Sequence, residues 1–412
     1  MAFAFETIYG VPPGSGYSRM PFATSTLGAD QPLLDSELLG YGRDPLQPIK
    51  DAVTVDGDIV VPIDARAWGF WLKAAFGAPA TTSVAATGAI EFASNPAEGD
   101  TITLNGTVWT FVDETPGADE TEIQGTLIQT LDQLVSDLNG SADTEVEKAT
   151  YSRPSSTERL VISYDTAGTA GNDFTIAASA ATVSGATLTG GGYSHQFNSG
   201  SWDIPSFAVE LGMPEVPSYA RFPGCKLDEL SWTMQRSGML TASARVIAQG
   251  ELTDTESQAG QLEQIELRRF GHFQGSIERD GAALGNVVQC EITYMNNLDR
   301  IETIRGDGQI DGADPSLASL RGRMDVRFAS TELLDQATAG ESCELKFSYV
   351  LPSGEQFELV AHAVYLPRPR REIQGPQGVQ VSFEWQAARD PSEGRMCTAT
   401  LINDMEDYDA PA

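Results

Sequence analysis

The sequence predicts a mainly β protein: two β-sandwich domains in tandem, each with a short flanking helix, and a small α+β domain inserted in the first. Three observations carry that expectation. Forty glycines and 22 prolines punctuate the 412 residues, and the Val/Ile/Thr/Phe runs between them are short, as strands require. The stretch 56–79 reads as a strand that feeds directly into a short helix. One order of elements then recurs in both halves of the chain.

The 56–79 stretch comes first because the rest is organised around it. Ile59, Val61 and Ile63 alternate as a half-buried strand does. Asp64 can cap the following helix by accepting a bond from an unpaired first-turn N–H. Trp68, Trp71, Leu72, Ala75 and Phe76 fall at i, i+3, i+4, i+7 and i+8, which places them on one stripe. Gly77 suits the C-terminal position that needs positive φ, and Pro79 prevents continuation. So short a helix is marginal alone, so it has to plug a sandwich.

Residues 1–50 are broken by Pro12, Pro13, Pro21, Pro32, Pro45 and Pro48, yet carry many aromatic and aliphatic side chains. They read as an extended arm that must lie on its own domain or on a neighbouring molecule, the neighbour being favoured, which makes Phe3, Phe5, Tyr9 and Tyr17 candidate self-assembly residues. Residues 51–80 and 200–250 form the first sandwich, interrupted by 81–199. In that insertion, Asn105-Gly106 joins two strands of a hairpin. Leu127, Ile128, Leu131, Leu134, Val135 and Leu138 make an amphipathic helix closed by Asn139-Gly140. Cys225–Ala248 is a long hairpin turning at Ser237-Gly238. A polar linker, 251–265, leads to the second sandwich, 266–390, and an acidic tail, 391–412.

The repeat binds the halves together. A strand enters a short helix at Asp64 and again at Ser330. A Gln-to-Gly step precedes each closing strand, Gln235-Arg236-Ser237-Gly238 and Gln374-Gly375-Pro376-Gln377-Gly378. The glycines are 140 residues apart (378 − 238) and the helix starts 266 apart (330 − 64). The difference, 126, approximates the inserted domain.

Charge narrows the function. There are 58 acidic and 26 basic residues, a net charge of −32, which argues against binding free nucleic acid. Catalytic signatures are absent: no phosphate loop, no GxSxG and no HExxH occurs. The four cysteines are dispersed and form no CxxC pair, so they read as buried hydrophobes of a reducing compartment. His195, His272 and His362 read as structural. Asp307-Gly308-Gln309-Ile310-Asp311-Gly312 resembles the start of a calcium loop, but Ala318 stands where a bidentate Glu is needed. It reads as a plain acidic loop, and neither a metal nor a cofactor is expected. Arg368, Arg370 and Arg371 form a basic run suited to subunit contact. The N-terminus lacks the features of a signal peptide, and no apolar run is long enough for a membrane span.

Three segments resemble the major tail tube proteins of long-tailed bacteriophages: Asp58–Gly77, Phe222–Trp232 with its continuation to Ala242, and Ile373–Val379. The similarity covers 1–80 and 200–390. It implies tube-type β-sandwiches that join around a ring into a hollow β-barrel, with rings stacked by arms and loops. Two such domains per chain imply trimeric, pseudo-hexameric rings rather than hexameric ones. Implied partners are the chain itself, a tape-measure protein, and tail terminator and distal tail proteins. DNA would pass through on its way into the host without specific binding, along a bore expected to be acidic. The competing expectations are a bacterial surface or adhesion β protein, a baseplate or tail-terminator protein, and a carbohydrate-active β-sandwich enzyme.

Overall fold

The computed structural model describes residues 1–38, 42–155, 157–327, 332–368 and 380–408. The elements of the main body are, in chain order, β1 (Ala2–Phe5), β2 (Thr54–Pro62), α1 (Trp68–Phe76), β3 (Ala80–Val84), β4 (Gly192–Asn198), β5 (Phe207–Met213), β6 (Ser218–Gln235) and β7 (Thr241–Ala248). After these come β8 (Gly275–Arg279), β9 (Val287–Met295), β10 (Ser319–Arg327), α2 (Glu332–Ala339), β11 (Cys343–Val350), β12 (Gln356–Tyr365), β13 (Gln380–Ala388) and β14 (Cys397–Asn403).

The molecule is mainly β. Two large antiparallel sheets face each other across one apolar core. The first runs from the short strands Thr24–Ser25 and Gly28–Asp30 through β2, β7, β6, β9 and β10 to β13. The second runs β3, β4, β14, β12, β11, β8. The halves seen in the sequence are therefore joined within one sheet: Glu229–Gln235 of β6 pair with Met295–Gln289 of β9. They also share one core, because burying the inner faces of two adjacent short sandwiches together removes more apolar surface from water than sealing each alone.

Helix α1 lies between the sheets. Trp68 meets Trp232 of the first sheet edge-on at 6.0 Å and Phe357 of the second at 5.7 Å. Phe76 packs on Tyr294 at 4.3 Å. The sequence shows one apolar stripe, yet all nine helical residues are buried. Two remote segments cover the remaining side. Phe3 and Phe5 of β1 pack on Phe70 and Trp71. Tyr408 sits against Phe70 and lies over Gly69, where a Cβ would come within 2.0 Å of its ring. Gly77 ends the helix at φ +92°.

Four expectations are corrected. The first thirty residues are not an arm on a neighbour: β1 pairs with β5 of its own chain, and the exposed stretches are 31–38 and 42–52. The inserted domain is shorter than 81–199, because β3 and β4 pair with each other and belong to the body. The linker 251–265 is stitched to the body through Leu252–Asp254 on β6 and Glu263–Gln264 beside Ser18–Arg19. The tail 391–412 includes β14, an interior strand between β4 and β12. Its buried face, Cys397, Ala399 and Leu401, alternates too briefly beside an acidic end to stand out in sequence.

The insertion has its own core. Two four-stranded sheets pack with a helix, Leu127–Asn139, whose Thr126 side chain caps Gln129 N. The predicted hairpin turns at Asn105 and Gly106, with φ of 47° and 93°. In the second half α2 begins at Glu332. Ser330 and the Gln374–Val379 step lie outside the described residues.

Candidate functional site

The functional question is which surfaces the fold leaves unfinished. The first sheet has two borders. At one, among the described residues, lie only the short strands Thr24–Ser25 and Gly28–Asp30. At the other, β13 pairs along β10 but reaches β12 only through Gln386, Ala387 and Ala388. Among the described residues, the outer edge of Gln380–Trp385 has no strand beside it.

One end of this sheet gathers exposed apolar side chains. The arm hairpin, Leu33–Leu34 with Ile49–Lys50, projects there from β2 and exposes Leu33, Leu34, Leu38 and Ile49. The hairpin 299–314 stands beside its base, where Val53 N donates to Gly308 O at 3.0 Å and Arg300 pairs with Asp56. Ile304, Leu317 and Trp202 are exposed nearby, at 108%, 82% and 73%. The opposite end, at the β6–β7 turn, exposes Met239 and Phe273 beside the buried His272, whose two ring nitrogens lack partners. A monomer whose two ends differ, each with exposed apolar groups, is suited to head-to-tail contact.

The sequence-predicted assembly residues divide. Phe3, Phe5 and Tyr17 are buried in their own chain, at 0%, 7% and 0% exposure, and so do not form a free surface. The prolines around them suggest an arm; a two-strand addition to β5 satisfies the same aromatics internally. Tyr9 is half-buried, with Lys226 Nζ 5.7 Å from its ring centroid. Arg368 is exposed, whereas Arg370 and Arg371 lie outside the described residues. The exposed leucines of the arm hairpin were legible in composition but were not singled out.

The solvent face of the first sheet is mixed in charge. Asp58, Glu229, Glu291, Asp325 and Glu384 share it with Arg245, Arg321, Arg323 and Arg327. Opposite signs fall in register: Arg245 is across from Asp58, and Arg323 lies between Glu291 and Glu384. The acid excess is elsewhere, notably in the insertion, where 85–195 hold 16 acids and 3 bases.

The acidic loop supplies its own cation. Arg305 donates to Asp307 through Nε at 2.9 Å and Nη2 at 2.7 Å, and to Asp311 through Nη1 at 2.5 Å. The guanidinium holds the Asp307 carboxyl down at about 2, helped by a bond from Gln309 N. His195 is fully buried between β3 and β14. Its Nε2 donates to Met405 O at 2.9 Å, leaving Nδ1 to accept from Thr81 Oγ1 at 2.9 Å, and burial lowers its pKa. These contacts give it a structural role.

Asp64 carries a testable charge. Its Oδ1 accepts from Arg66 N and Ala67 N, both at 2.8 Å, so it anchors the turn that leads into α1; the helix itself starts after Ala67 without a side-chain cap, which corrects the expectation that Asp64 caps its first turn. Its Oδ2 is buried without a partner. Burial raises its pKa from 3.8 to about 6, against the two backbone bonds. The neutral acid is thus favoured by folding. Its contribution, of about 3 kcal/mol, is complete below the unfolded value and is lost as pH rises through about 6. Asp64→Asn keeps the accepting oxygen and removes the titration. We expect urea unfolding to show a smaller stability loss between pH 4 and 8 in the variant than in the parent; equal losses would rule the assignment out.

The molecule is thus a mainly β protein with unfinished sheet borders and exposed apolar groups at both ends of its first sheet. The family model for phage tail tube proteins matches residues 1–387, and the chain belongs to that family. It is a structural tail tube subunit and so a component of the virion tail. No curated protein matches the chain. Among the described residues no helix is long and apolar enough to cross a membrane.

Proposed function

We propose that copies of this chain close into rings through the two borders of the first sheet, that rings stack end to end, and that the solvent face of this sheet lines a bore through which DNA leaves the capsid for the host. The observation that carries this is the β6–β9 junction. A seven-residue ladder, Glu229↔Met295 to Gln235↔Gln289, already joins one half to the next inside the chain. A ring repeats that join between chains and removes the exposed edges.

Strand number favours three chains. Counting the short border strands as one, the sheet has seven strands across it. Roughly 21 strands, ~4.8 Å apart and tilted by ~40°, close a barrel about 40 Å across. Side chains then leave about 30 Å, enough for a duplex about 20 Å wide. Two chains would leave about 16 Å, which is too narrow.

The bore is charge-compensated rather than acidic. Acids and arginines interleave across its strands, so it offers phosphates no net cationic surface to hold them. We read no catalytic role in this chain. Assembly occurs in the host cytoplasm, with a tape-measure protein inside the growing tube and terminator and distal tail proteins at its ends.

Negative-stain microscopy of the purified protein tests the reading. Hollow tubes or threefold discs are expected; a compact monomer at high concentration would overturn it. In the same assay Leu34→Asp with Ile49→Asp should abolish stacking while leaving the thermal midpoint within a few degrees, because both side chains are exposed in the monomer.

A further inference from the structure

The second sheet also has an open border, and it is unprotected. β3 is its outermost strand, and all five residues, Ala80 to Val84, are exposed. β3 pairs with β4 on one side. On the other, among the described residues, only Val84 O is met, by Gly168 N at 3.0 Å. Strand edges are ordinarily shielded by charge, proline or a bulge. This edge reads Ala-Thr-Thr-Ser-Val and has none of these, in a chain of net charge −32.

The internal repeat shows what belongs there. β11 is the counterpart of β3: each follows the short helix of its half and pairs antiparallel with the next strand. The outer edge of β11 is filled by β8, in register from Gly275↔Tyr349 to Arg279↔Leu345. The corresponding lead segment of the first half is used elsewhere, since β1 pairs with β5. One half of the chain thus fills this position and the other leaves it vacant.

We propose that the free edge of β3 is a strand-addition site, occupied in the assembly by the arm hairpin of a second copy. The inference rests on the tube reading above and names one of its contacts. The arm is already extended, Leu33↔Lys50 and Leu34↔Ile49 pair only with each other, and both outer edges of this hairpin are free among the described residues. Its leucines and Ile49 are exposed. Each copy carries one arm and one vacancy, so a homopolymer supplies the missing strand in the required ratio. Backbone pairing gives the arm its affinity, and burying its exposed leucines stabilises the contact.

The test uses the full chain. The four native cysteines are buried, so cysteines introduced by Thr82→Cys and Leu34→Cys are the accessible thiols. The two variants are mixed under assembly conditions and treated with a short bismaleimide. Covalent dimers joining one variant to the other are expected, with neither variant dimerising alone. Thr82→Pro, which withdraws an edge donor, should raise the concentration needed for assembly at least tenfold, while Thr82→Ala assembles as the parent does. Normal tubes from the parent without the mixed dimer, or a proline variant assembling like the parent, would overturn the strand addition and leave the tube reading intact. A mixed dimer without tubes would support the contact and overturn the tube reading.

Discussion

Trp68→Ala should lower the unfolding free energy of the unassembled chain by about 3–5 kcal/mol, the range for deleting a large buried aromatic. Trp68 is fully buried and touches both sheets, through Trp232 and Phe357. Its removal leaves a void at the point where neither sheet can collapse without the other. Urea unfolding followed by near-ultraviolet circular dichroism would measure the loss. A change below about 1 kcal/mol would mean that α1 is not the element on which the sheets pack. Leu33→Ala on the exposed arm is the matched control and should change stability by no more than about 0.5 kcal/mol.

The second large effect concerns the C-terminal segment. Tyr408→Ala should cost about 3–5 kcal/mol, because its ring is buried against Phe70, Phe197 and His195. The segment is held there by Lys73 Nζ donating to Tyr408 O at 3.0 Å and by Arg66 gripping Asp404 at 2.7 and 2.5 Å. Gly69→Ala isolates the contact. In an ordinary helix interior this change gains about 1 kcal/mol. Here the new methyl meets the Tyr408 ring, so the variant should be less stable than the parent. In the Tyr408→Ala background the same change should become neutral or stabilising. A double-mutant cycle measures that reversal, and additive effects would show that the tail does not rest on the helix.

These two experiments probe the part of the fold that sequence reasoning missed. The α1 helix, the anchoring role of Asp64 in the turn before it and its glycine stop were legible, because periodicity and turn chemistry are local. The β6–β7 hairpin, the alternation of β9, the insertion's helix and the Asn105-Gly106 turn were legible for the same reason. The stripe on α1 was read as one buried face, since nothing local to Gly69 or Phe70 announces that residues 3, 5 and 408 will arrive from the two ends of the chain. β14 was missed because an acidic tail outweighed a seven-residue strand in the composition of its window. The arm was half right: its apolar character was visible, but whether Phe3 and Phe5 find a partner within the chain depends on β5, some 200 residues away.

The candidate site follows the same division. The sequence by itself determined the mainly β class, the family resemblance, the absence of catalytic motifs and the strand–helix unit at the centre, all set by patterns within twenty residues. Only the tertiary structure decided that the halves share one sheet, that the acids of the 307–311 loop are answered by Arg305, that the first sheet's solvent face is balanced in charge, and that the edge of β3 is bare. The physical reason is that burial and edge pairing are properties of non-local neighbours. A strand's own residues state that it needs company on either side, but not which distant segment provides it or whether that side is left for another molecule.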